Sequence, residues 1–145
     1  MVFKLHDQLY GVNIASVLEI IKVDTVTRVP GAPHFIEGII NLRGKVVPVM
    51  DLGLRFGLQQ SKISDSTRVI IVEAGGVTTG MIVDSVSEVL RLPSSSLEPV
   101  PAIIAESGME ALKGVALVDR RMIIILDLGK LLYDHEKNEL RGFRC

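Results

Sequence analysis

The stretch GIINLRGKVVPVMDLG, residues 38–53, lies on GVALVDRRMIIILDLG, residues 114–129, without a gap. Gly38, Asp51, Leu52 and Gly53 meet Gly114, Asp127, Leu128 and Gly129. Between them Val46, Val47, Val49 and Met50 meet Met122, Ile123, Ile125 and Leu126. Each copy reads as apolar strands about a tight turn, at Arg43-Gly44 and at Asp119-Arg120, running into a helix start. A second block precedes the first in the same order: Gly11, Ser16, Val17 and Glu19 fall on Gly80, Ser85, Val86 and Glu88. The offset is 69 in this block and 76 in the other, so the second copy is longer by the difference, seven residues. They fall in Leu92–Lys113, whose serines and prolines mark an extended loop. Two matching blocks in one order indicate an internal duplication.

Working outward, Val69–Val72, Gly80–Val83, Val46–Met50 and Met122–Leu126 are short Val- and Ile-rich runs between turn signals, and Gly75-Gly76 supplies a further turn. Strands this apolar need both faces covered. The expectation is a mostly β chain of two similar small barrels, approximately 1–66 and 67–145, with the first strand open to exchange between them. A third apolar layer then lies where the barrels meet. Pro48 inside a strand pattern predicts an edge strand or a bulge there. Helices are few: a short one after Asp51, through Leu54 and Phe56, and a C-terminal one carrying Leu128, Leu131, Leu132 and His135.

Composition narrows the function. The 145 residues are 48% hydrophobic, enough for a sizeable core and too apolar for a disordered linker. The longest apolar run, Met122–Leu126, is far short of the roughly 18 residues that span a bilayer. Met1-Val2-Phe3-Lys4 runs directly into a strand pattern without the features of a signal peptide, so a cytoplasmic location is expected. The single cysteine, Cys145, makes no disulfide framework. A net charge of −1 and an aromatic content of 4% lack the basic excess and stacking platforms of a nucleic-acid binder.

No catalytic constellation emerges. Asp51 and Asp127 could be an acid–base pair, but each ends a strand before a helix, where a carboxylate caps free N–H groups. His6, His34 and His135 have no metal-ligand spacing, Cys145 has no recognisable base, and no nucleophile elbow surrounds any serine. Neither metal nor cofactor site is expected. Glu19 and Glu88 match across the repeat, which leaves a structural and a contact role equally open. Arg43 differs, because Asp119 stands opposite it and Leu117 opposite Asn41. A duplicated fold therefore does not demand Arg43. It reads either as a solvated turn arginine or as a forked donor for a partner's carboxylates or carbonyls.

The block Gly38–Leu52 resembles the G-V-I-N-L-R-G-x-x-V-P-V-x-D-L signature of the bacterial chemotaxis coupling family, the CheW-like domains. Agreement continues in order through Tyr10-Gly11-Val12, Val17-x-Glu19-Ile20, Arg28-Val29-Pro30, Ala32–Ile36, Val83–Val86, Asp119–Met122 and Leu128–Leu132. The resemblance implies two five-stranded SH3-like barrels about an apolar interface, with no catalytic activity or cofactor. It also implies an adaptor joining the regulatory domain of the histidine kinase CheA to the cytoplasmic tips of chemoreceptors in arrays at the membrane, without inserting into it. Family receptor contacts match Val17, Glu19, Gly38, Asn41 and Arg43. Rival readings are a sensory domain holding a small ligand between the barrels, and an enzyme, which would need titratable groups gathered in one cleft.

Overall fold

Four tight hairpins organise the chain in the computed structural model, which describes residues 1–23, 26–59, 62–92, 97–99 and 111–131. β1 (Val2–Leu5) turns into β2 (Gln8–Gly11) at His6-Asp7, and β4 (Ile36–Leu42) into β5 (Lys45–Asp51) at Arg43-Gly44. β6 (Arg68–Ala74) turns into β7 (Val77–Val83) at Gly75-Gly76, and β10 (Leu112–Val118) into β11 (Arg121–Leu126) at Asp119-Arg120. All eight turn residues have positive φ, from 48° to 83°. That is the type I′ geometry, whose twist matches that of the flanking strands. Single strands β3 (Val17–Lys22), β8 (Ser85–Glu88) and β9 (Leu97–Glu98) complete the set, with a short helix α1 (Leu52–Arg55) after β5.

The strands form a five-stranded sheet, β3-β6-β7-β5-β4, and a six-stranded one, β8-β1-β2-β11-β10-β9. The duplication shows in this order: β3 answers to β8, β6-β7 to β1-β2, and β5-β4 to β11-β10. Each sheet has one parallel pairing in the same place, β5 on β7 and β11 on β2. Register slips also recur, skipping Leu18 and Ser87 in the single strands and Glu37 and Lys113 in the hairpins. The sixth strand has a counterpart as well. Glu98 pairs with Val115, and Thr27 makes an isolated bridge to Ile39, which stands opposite Val115 in the repeat.

The boundary expected near residue 66 is not where the sheets divide. Hairpin β6-β7, from the second copy, joins β3, β4 and β5 of the first. Hairpin β1-β2 of the first copy joins β8, β10 and β11 of the second. A whole hairpin is exchanged in each direction, where the expectation allowed for one strand. The short connection from β7 to β8, a single Asp84, carries the chain from one sheet to the other.

Alternation of side chains sorts the core into three layers. Val49, Val69, Ile71 and Ile82 fill the concave side of the five-stranded sheet. Val2, Ala116 and Ile123 fill that of the six-stranded one. Between the sheets lies the largest layer, with Phe3, Leu5, Tyr10, Met50, Leu52, Ile70, Val72, Met81 and Leu131. Neighbours along one strand, such as Val69 and Ile70 or Val49 and Met50, enter different layers. This two-sided burial is why the runs are continuously apolar.

Pro48 breaks the expectation attached to it. β5 is internal, between β4 and β7, and the register slip lies opposite, in β4. The proline is tolerated because its partner Ile39 spends its own N–H and C=O on Thr27, at 2.8 and 2.9 Å. On the other side the parallel ladder to β7 begins only at Val49. No ladder bond there requires the N–H that proline lacks.

Candidate functional site

The turn that carries Arg43 is held by its own strand. Asn41 Oδ1 accepts the Gly44 N–H at 2.8 Å and so closes the Arg43-Gly44 turn. Arg43 Nη1 donates to Glu19 Oε2 at 2.6 Å and Nη2 to Oε1 at 3.0 Å, a forked, two-bond pair. Glu19 hydrogen-bonding and charge raise the Arg43 pKa above its ordinary value, so the group is a permanent cation.

This pair also reports the shape of the sheet. Glu19 is on β3 at one edge and Arg43 adjoins β4 at the other. Four strand spacings in a flat sheet would put those edges about 19 Å apart. The five-stranded sheet therefore curls until its edges nearly meet, as in a small barrel.

Glu19, Asn41 and Arg43 come together at this rim. Val17 is half-buried against the inter-sheet layer, two residues earlier on β3. Gly38 sits on β4 under the Thr27 bridge. A Cβ there would stand 2.2 Å from the Thr27 carbonyl oxygen, so the chain has room for nothing larger. Around the rim, Leu18 and Ile20 of β3 and Val46 of β5 are exposed apolar side chains. Sequence reasoning did not single these three out; alternation about the Leu18 slip is what turns two of them outward.

The second copy builds a comparable pair by another route. Glu88, the match of Glu19, accepts from Arg121 Nη1 at 2.7 Å. Arg121 stands opposite Lys45 in the repeat and so escaped a comparison made at the Arg43 position. The lack of an arginine opposite Arg43 thus did not mean the lack of the contact, and the two glutamates are both half-buried and paired. The signal that could have found Arg121 was Glu88 itself.

Both aspartates read as caps do cap. Asp51 Oδ1 accepts the Leu54 N–H at 3.3 Å and Asp127 Oδ1 the Lys130 N–H at 3.2 Å. Residues 128–131 are helical; Leu132, His135 and Cys145 lie outside the described residues. His6 Nε2 is 2.9 Å from the Gln59 carbonyl oxygen, and His34 meets Phe35 edge-on. Among the described residues no three His, Cys, Asp or Glu side chains converge as metal ligands. A recess of about 280 Å³ is lined largely by Val2, Val12, Leu90, Leu92, Leu97 and Ile125. Met1, Asn13 and Lys113 also border it. No described helix is long and apolar enough to cross a membrane.

Two curled sheets on a shared apolar layer, with an ion-paired and partly apolar rim, define a β-rich scaffold that presents surfaces to other proteins. The CheW-like domain model matches residues 1–136, and the chain belongs to the CheW-like family. It is 38% identical over 136 residues to the chemotaxis protein CheW of Klebsiella aerogenes, covering 94% of this chain and 82% of that one. It is 32% identical over 139 residues to that of Bacillus subtilis, covering 96% and 88%. The crystal structure of the scaffolding protein TtCheW from Thermoanaerobacter tengcongensis superposes with a TM-score of 0.81 at 44% identity, over 90% of this chain and 84% of that one. The chain is accordingly a chemotaxis coupling and scaffolding protein with an SH3-like β fold, and not an enzyme.

Proposed function

We propose that this chain couples the regulatory domain of the histidine kinase CheA to the cytoplasmic tips of chemoreceptors, working in the cytoplasm and recruited to arrays at the membrane. The observation that carries this reading is the rim. Glu19 and Arg43 are locked to each other, Asn41 holds the turn, and exposed Leu18, Ile20 and Val46 lie on the strands beside them. A receptor tip is a bundle of amphipathic helices, and such a helix offers apolar side chains to Leu18, Ile20 and Val46 and polar ones to the ion pair. The pair then sets register more than raw affinity. Val17 and Gly38 act on this contact through the backbone, Val17 by anchoring β3 and Gly38 by letting Thr27 close over β4.

Arg43→Asp tests it. Asp119 occupies the matching turn position with φ 48°, so the left-handed backbone accepts aspartate. The substitution places two carboxylates together, and the expected result is a folded protein whose binding to a receptor cytoplasmic fragment is weaker by about tenfold or more, roughly 1.4 kcal/mol. Binding to the CheA regulatory domain should stay within a few-fold of wild type. Unchanged receptor binding and unchanged kinase activation in a reconstituted assay would remove Arg43 from the contact.

A further inference from the structure

Glu88 and Arg121 have no part in the rim just described, yet they are built with equal care. β8 is the edge strand of the six-stranded sheet, and Arg121 opens β11, three strands away across β1 and β2. In a flat sheet that separation is about 14 Å, close to the combined reach of two extended side chains, so the 2.7 Å contact spans three strand spacings. The register skips Ser87 immediately before Glu88, as it skips Leu18 before Glu19. A slip of this kind re-aims the next side chain, and in both strands it turns a glutamate toward a hairpin arginine. Arg121 and Glu88 are both about three-fifths shielded from water, with side-chain exposures of 38% and 37%, whereas Arg43 is 74% exposed. Bulge, glutamate and arginine recur as a unit although the arginine comes from a different repeat position.

We infer that Glu88 and Arg121 form a clamp that holds the β8 edge closed on the β10-β11 hairpin, independently of the Glu19–Arg43 pair. Besides the clamp, β8 has its antiparallel ladder to β1 and Val86 seated against the inter-sheet layer. It is four residues long, follows a one-residue crossover at Asp84, and its ladder to β1 is interrupted at Ser87. The next residue, Val89, is an exposed apolar side chain whose position follows the clamp. The inference does not depend on the partners proposed above.

The test is amide hydrogen exchange on the full chain. Glu88→Gln and Arg121→Gln should each speed exchange in β8 by about tenfold or more while leaving β3 unchanged. The doubly swapped protein, Glu88→Arg with Arg121→Glu, restores opposite charges and should return β8 to within about threefold of wild type. Circular dichroism confirms that each variant is folded. Unchanged β8 protection in both single variants overturns the clamp. So does loss of protection spread equally over both sheets and not recovered in the swap, which would make the pair a general determinant of folding.

Discussion

Gly38 and Gly44 stand six residues apart in one hairpin, and substitution should separate them sharply. A Cβ at Gly38 meets the Thr27 carbonyl oxygen at 2.2 Å and its carbon at 2.8 Å, backbone atoms that cannot swing away. Gly38→Ala must open the Thr27–Ile39 bridge with its two hydrogen bonds, and the expected loss is about 2–4 kcal/mol. At Gly44 the Cβ meets nothing within 4 Å and only the φ of +83° opposes it. Gly44→Ala should cost about 1 kcal/mol. Urea midpoints measure both, and similar values would contradict the assigned close approach. The need for glycine at 38 was visible in the repeat, since Gly114 matches it and there a Cβ would lie 2.8 Å from the Glu98 carbonyl oxygen. What the repeat could not show was the neighbour, because Thr27 and Glu98 lie outside both matched blocks. Tyr10 offers a pH test at the same scale. It is stacked between Phe3 and Phe56 in the inter-sheet layer, and burial raises its pKa above 10.0. The folded state favours the neutral phenol, so its contribution is full below pH 10 and is lost as pH rises through the higher folded value. Tyr10→Phe should flatten that part of the alkaline stability profile; an unchanged difference between pH 9 and pH 11 would assign the loss to other groups.

Elements were more legible than their neighbours. Arg43-Gly44, Gly75-Gly76 and Asp119-Arg120 announced hairpins because a two-residue turn demands residues that accept positive φ. The caps were legible for a similar reason, since a carboxylate at the start of a helix has one obvious use. Those caps should not be equal. Asp51 is 2% exposed and carries further contacts, so Asp51→Ala is expected to cost about 2 kcal/mol or more. The more exposed Asp127 should cost about 1 kcal/mol, and thermal melts of the two single variants compare them directly. Pro48 misled because a strand's place in a sheet is not a local property. Whether an N–H is needed depends on what lies on both sides, and here Thr27 and the late start of the β7 ladder relieved it. The site divided in the same way: Arg43 and Asn41 stood out as unmatched, whereas exposed Leu18 and Ile20 required knowing where the register of β3 slips.

At the scale of the molecule, the duplication was readable but the way its copies interlock was not. Matching residues report what repeats, and they are silent about which copy supplies a hairpin to which sheet. The exchange has an energetic consequence. Residues 17–83 hold all five strands of one sheet, but the other needs 2–11 together with 85–126. Neither sheet can open without uncovering the largest apolar layer, to which both contribute, and hairpin β1-β2 cannot leave its sheet without pulling on β3 in the other. The two should therefore unfold as one cooperative unit despite having separate inner layers. Val69→Ala removes packing inside the five-stranded sheet and Ile123→Ala inside the six-stranded one, with expected costs of about 1–2 and 2–5 kcal/mol. Each should lower a single calorimetric transition, by roughly 2–4 °C per kcal/mol, and leave the calorimetric and van't Hoff enthalpies equal. A second transition in either variant, melting ahead of the first and confined by hydrogen exchange to the mutated sheet, would show that the exchanged hairpins do not couple the halves.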